Sequence, residues 1–262
     1  MCIIEIIFYA EFRGDRTRAL ASGTLQPAGR QFPLRTLAFL MYLADCMQDP
    51  FVSILANDLY TPVLGIPQSV GAALPLSAQV LFAALSAFVC GSLVRRTGVK
   101  KMLCGGFLTQ GIGFVLAGTC MNYAGLLAGK SLIGIGIGAA LVSLNSVAAS
   151  GESEEASADA FTQVNAGTLA GITVGAGVGS ILLSFAGYSV VYYAGALTLC
   201  LALLMSLFGA DYREKAAAAK EQKEITMLRF LTNRSVWSFL LLLLMPFLIA
   251  ISYREYFFPL YV

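Results

Sequence analysis

The chain is 262 residues long, 58% hydrophobic and only 12% charged, with a formal net charge of +2. A soluble domain carries about 25% charged residues, so the composition excludes an ordinary water-soluble fold and points to lipid as the solvent. With no histidine in the chain, Ser-His-Asp triads, HExxH zinc sites and histidine general bases are excluded; six scattered cysteines without CxxC spacing read as small apolar residues, not as a disulfide or metal framework.

Residues 1–33 come first. Met1–Phe12 is apolar but too short to span, and it lacks the basic n-region and cleavage site of a signal peptide. The polar stretch after it, with Arg13, Arg16, Arg18 and Arg30, reads as a cytoplasmic tail or the remnant of another domain. Seven apolar runs follow, at about 34–59, 69–94, 102–121, 125–149, 161–185, 189–208 and 236–261. A run of about 20 apolar residues crosses a bilayer core of ~30 Å as a helix. Residues 209–235, rich in Ala, Lys and Glu, read as a helical linker of mixed charge. The expected fold is all-α, a polytopic transmembrane helical bundle. It divides into a tail (1–33), a six-helix bundle (34–208), a central cytoplasmic linker (209–235) and a seventh helix (236–262).

Charge then sets the topology. With the amino terminus inside and the spans alternating, every Lys and Arg falls on the cytoplasmic side except Lys130 and Arg254, which lie within spans. That is the positive-inside pattern, and it predicts a multi-pass protein of the cell (plasma or inner) membrane with a cytoplasmic amino terminus. The Asn233-Arg-Ser235 sequon then lies inside and is discounted.

Between the second and third runs stands Gly91-x-x-x-Arg95-Arg96-x-Gly98-x-Lys100-Lys101, a basic turn in which Gly98 can take φ > 0. This pattern resembles the signature loop of the major facilitator superfamily, Gly-x-x-x-Asp-Arg-x-Gly-Arg-Arg. Gly91, Arg96, Gly98 and Lys100 match, while Arg95 stands at the acidic position and Val99 at a basic one. In the family that acid helps latch the two halves at the inner gate, so the departure puts the latch in doubt. The fourth run is similar to the family's fourth helix, with Lys130 at the usual Arg position and Gly134, Gly136 and Gly138 at small positions. The letters Gly129-Lys130-Ser131 are not a phosphate loop, because Ala124 replaces the required Gly. Gly134-x-Gly136-x-x-Ala139 is no dinucleotide fingerprint, lacking a preceding strand. In the fifth run, Gly171-Ile-Thr-Val-Gly175-Ala-Gly177-Val-Gly179 resembles a motif of the family's antiporters, with Ala176 in place of Pro. It reads equally as small-residue packing.

An ionisable side chain inside a span costs about 2.5–3.5 kcal/mol on insertion scales, so the exceptions mark candidate function. Asp45, Gln48 and Asp49 fall at i, i+3 and i+4, one face of a continuous first helix. Lys130 lies in the fourth run, and Arg254 and Glu255 in the seventh. The resemblance implies that these helices line a central cavity, with Asp49 or Asp45 facing Lys130 as the pair that couples solute movement to protons. The acidic segment 151–160, with Glu152, Glu154, Glu155 and Asp159, is expected as a loop beside the basic turn, supplying the negative charge missing at Arg95.

The resemblance implies a secondary active transporter of a small organic solute by alternating access, with proton-coupled export as the favoured form. Its expected partners are the bilayer, the solute and protons. No enzyme, cofactor, metal or nucleic acid is expected. Seven spans against the family's twelve imply an amino-terminal half plus the first helix of the second. The alternative is a transporter-like sensory or anchoring module of a multidomain signalling protein.

Overall fold

The computed structural model describes residues 34–60, 67–120, 122–151, 153–208 and 238. The chain divides into two compact units, Met1–Lys220 and Glu221–Val262. The helices below all belong to the first. The expected tail, linker and seventh span, with Arg254 and Glu255, lie outside the described residues.

Among the described residues there are seven helices: α1 (Leu34–Cys46), α2 (Val52–Asp58), α3 (Gln68–Thr97), α4 (Val99–Thr119), α5 (Tyr123–Ala149), α6 (Glu154–Ala186) and α7 (Tyr188–Phe208). The last five are long and apolar enough to cross a membrane. Large apolar side chains such as Phe88, Leu169 and Leu197 point outward, as they do where hydrocarbon is the solvent.

The first apolar run is two helices, not one. Proline lacks an N–H and crowds the preceding residue out of the α region, and Asp49-Pro50 follows directly on α1. The chain turns over 47–51, and the Gln48 carbonyl accepts from the amides of Phe51 at 3.2 Å and Val52 at 3.0 Å to restart the helix. Pro75 lies inside α3 without ending it. The carbonyl it strips of a partner, that of Gly71 four residues earlier, accepts from the Tyr123 hydroxyl at 2.8 Å.

Two connections are a single glycine long. Gly98, at φ 88°, is all that separates α3 from α4, and Gly187, at φ 79°, all that separates α6 from α7. Both need the positive φ that a side chain disfavours. The basic stretch expected as a loop is therefore mostly helix. Gly91, Arg95 and Arg96 belong to the last turns of α3, and Lys100 and Lys101 to the first turn of α4.

The acidic segment is likewise helical from Glu154. Ser153 caps α6 by accepting from the Ala156 amide at 3.1 Å, and Glu154 and Glu155 occupy the first turn, where the helix dipole favours negative charge. The helix begins seven residues before the expected start of the apolar run at 161, because helical backbone continues beyond an apolar run when a cap is available.

Packing runs through glycines. α5 lies between α3 and α4, and α1 packs on α6 and α7. On α5, Gly134 and Gly138 meet the backbone of α3 at Gln79 and Ala83, whereas Gly129 and Gly136 meet α4 at Gly113, Gln110 and Gly106. On α6, Gly167, Gly171, Gly175 and Gly179 recur every four residues along one face and meet the carbonyls of Arg35, Phe39 and Leu43 on α1 and of Met47 just beyond it. Close backbone approach of this kind drives helix association where no water is present to supply a hydrophobic force.

Candidate functional site

A chain of buried polar groups crosses the bundle from α5 through α3 to α1. The Lys130 ammonium donates to Gln79 Oε1 at 2.8 Å. Gln79 Nε2 donates to Asp45 Oδ1, also at 2.8 Å, and Gln48 Nε2 donates to the same oxygen at 3.2 Å. Lys130 and Gln48 are 0% exposed, Gln79 6% and Asp45 9%. The amide orientations follow from the charges at each end. A carboxylate only accepts and an ammonium only donates, so Gln79 must turn its NH2 to Asp45 and its oxygen to Lys130.

The bundle positions each member for a local reason. Gly134 stands one turn after Lys130 on α5, and its missing side chain lets the Gln79 carbonyl of α3 lie against the helix. That crossing sets Gln79 where its amide reaches Lys130. The Ser86 hydroxyl, two turns along α3, donates to the Ile135 carbonyl at 2.7 Å and fixes the same crossing. Asp45 sits at the end of α1, one residue before its last, where Gly175 of α6 admits Cys46 and the Leu43 carbonyl at close range.

Magnitudes show why the members need one another. Insertion of a lysine at mid-membrane costs about 2.5–3.5 kcal/mol, and one hydrogen bond to a charged group returns roughly 1.5–3 kcal/mol. The Gln79 amide alone barely balances Lys130. The field of Asp45 and Asp49 adds to that bond, since both act electrostatically on Lys130.

The sequence-expected residues fall into three groups. Asp45, Gln48 and Lys130 are brought into one network. Asp49 lies beyond the end of α1 and is exposed, so the expectation that Asp45, Gln48 and Asp49 share a continuous helical face is corrected: Pro50 ends the helix first. Asp49 remains within electrostatic reach of Asp45 and Lys130. Gly134, Gly138, Gly171 and Gly175 are all buried at helix crossings. In the basic stretch, Gly98 makes the turn, Gly91 sits in open space on α3, and Arg96 and Lys101 are exposed.

Sequence reasoning passed over Gln79 and Gln110. Gln110 is fully buried on α4 with neither amide atom hydrogen-bonded in the structure, and Gln48 Oε1 and the Tyr192 hydroxyl are similarly buried and unpartnered. The available signal was a lone glutamine inside each of two apolar runs.

The profile of the Major Facilitator Superfamily matches residues 36–262. The chain belongs to that superfamily. Among curated proteins it is similar to the multidrug resistance protein MdtG of Yersinia enterocolitica, 30% identical over 154 residues. That match covers 57% of this chain and 37% of the relative, so the chain spans well under half the length of the curated protein it matches. As a major facilitator chain this is a multi-pass membrane protein.

Proposed function

We propose that the chain forms the amino-terminal part of a secondary active transporter that exports small organic solutes in exchange for protons, by alternating access. The observation that carries this reading is the buried Lys130–Gln79–Asp45 chain in a bundle of this superfamily. A carboxyl group held in a dry interior beside a cation has two stable occupants, a proton or a positively charged partner. Exchanging one for the other is what couples a gradient to solute movement. Superfamily members place solute and ion sites near the midplane, at the interface of rocking halves. Asp45 stands eleven residues along α1, ~16 Å at 1.5 Å per residue, which suits such a depth.

In this reading Asp45 exchanges the proton, Lys130 is its counter-charge, and Asp49 lines the solute path at the break in the first span. In the same reading the Gly98 turn faces the cytoplasm and the amino terminus lies inside, an orientation supported by the distribution of Lys and Arg. Export is favoured over uptake because the relative's name is that of a multidrug resistance protein.

The test uses the full-length transporter in inside-out vesicles with ethidium as the probe. An imposed acid-inside gradient should drive ethidium accumulation, and Asp45→Asn should abolish the gradient-driven component while leaving the protein in the membrane. Undiminished accumulation by Asp45→Asn would remove Asp45 from the coupling step.

A further inference from the structure

The network has a feature that an ion pair does not need. Lys130 and Asp45 are opposite charges, both buried, on helices packed into one bundle, yet neither touches the other in hydrogen-bonding geometry. Each is bonded instead to one end of the same amide, at 2.8 Å on both sides. Gln79 is anchored from its backbone as well, since its carbonyl is seated against Gly134. The amide is held in place by the α3–α5 crossing and not merely trapped between the charges.

We propose that Gln79 is a positioning residue that keeps Asp45 and Lys130 one amide apart, so that Asp45 remains able to take up and release a proton. A direct contact would bind the carboxylate to the ammonium in a medium where that attraction is little screened. The carboxylate would then give up its partner only at great cost. An interposed amide satisfies the ammonium through its oxygen and the carboxylate through its NH2, and it keeps its bond to Asp45 whichever oxygen carries a proton. Lysine's four-carbon stem is long and mobile enough to close the gap once the amide is gone. Asp49 on the same segment also acts electrostatically on Asp45, and Asp45 in turn acts on its neighbours Tyr42 and Cys46. Gln48 hydrogen-bonds to Asp45 but carries no charge. Lys130 is thus the cation against which the spacer works. The inference rests on the reading of Asp45 as the proton-exchanging group.

The experiment needs no transported solute. Infrared difference spectra of the full-length protein in lipid, recorded across a pH titration, would contain a protonated-carboxyl band assigned to Asp45 by its loss in Asp45→Asn. In Gln79→Ala that band should appear only at a pH at least one unit lower than in the wild type. Adding Lys130→Gln to Gln79→Ala should return it to within half a unit of its wild-type position. A purely structural role for Gln79 predicts no such rescue. Gln79→Met, which keeps the volume, gives the same readout if the alanine variant folds poorly. A band unmoved by both Gln79 variants, or displaced and not restored by Lys130→Gln, overturns the spacer and leaves the coupling role of Asp45 intact. A wild type with no Asp45 band at any pH overturns both.

Discussion

Two helix crossings in this bundle use the same device to different ends. Where α6 meets α1, four glycines spaced four apart present one smooth face, and the contacts are glycine against carbonyl, repeated. Where α5 meets α3, Gly134 and Gly138 do the same work, but Lys130 stands one turn before Gly134 and Gln79 faces Gly134. The first crossing is packing at Gly167 and Gly171, and comes near the network only at Gly175, beside Cys46. The second is packing that places a charge. Glycine at a crossing therefore says that two backbones approach, and only the neighbouring turn says whether the approach positions chemistry.

The largest effect should separate the two. A Cβ at Gly134 would collide with the Gln79 carbonyl, so Gly134→Val must push α3 from α5 and part Lys130 from Gln79. Overpacking of this kind costs about 1–3 kcal/mol or more. Gradient-driven ethidium accumulation should fall at least tenfold, even in the fraction of protein that still elutes as a folded species in detergent. At the other crossing, a Cβ at Gly171 would lie 2.7 Å from the Phe39 carbonyl and 2.9 Å from the Tyr42 Cβ. Gly171→Ala should cost a similar ~1–3 kcal/mol, seen as a lower melting temperature. Accumulation per folded molecule should stay within about twofold of wild type. Equal losses of activity per folded molecule in both variants would mean that the α1–α6 crossing is more than packing.

The same distinction bounds what could be read from the sequence. Hydropathy located α3, α4, α5 and α7 to within a few residues, because long apolar runs in lipid have few alternatives to helix. It could not see the break in the first run, since apolar residues resume directly after Asp49-Pro50, and the pair that ends α1 is a local backbone signal. Lys130 and Asp45 were legible because a charge in an apolar run is expensive. Gln79 was not, because an uncharged amide there carries far less penalty. Its importance comes from reaching residues 34 and 51 positions away, a relation that only the crossing at Gly134 creates. The one-face argument for Asp45 and Asp49 failed for the same local reason that the first run is split.

A smaller effect tests the break itself. Pro50→Ala restores an N–H and removes the ring that crowds Asp49, so α1 and α2 should approach continuity. If the turn over 47–51 matters only for folding, the melting temperature should shift with accumulation per folded molecule unchanged. The proposed role of Asp49 requires the opposite balance: at least a threefold loss of ethidium accumulation without loss of stability, because a continuous helix carries Asp49 round toward the buried face of Asp45.

The smallest effect lies within the basic stretch and divides one motif into two opposite signs. Gly91 and Gly98 have in common that a Cβ would meet nothing within 4 Å, so sterics with neighbours decides neither. Gly98 has φ 88° and ψ 145°, next to a region open essentially to glycine alone, and a side chain there would cost about 1–3 kcal/mol in backbone strain. Gly98→Ala should lower the melting temperature and strain the single-residue joint between α3 and α4. Gly91 is inside α3 at an ordinary helical position, where glycine is worse than alanine by roughly 0.5–1 kcal/mol. Gly91→Ala should therefore raise the melting temperature slightly. Both variants can be read in one thermal series on detergent-purified protein. If Gly91→Ala lowers it instead, the open space beside Gly91 is filled in the working protein, and the glycine is kept for a close approach rather than left over in a helix.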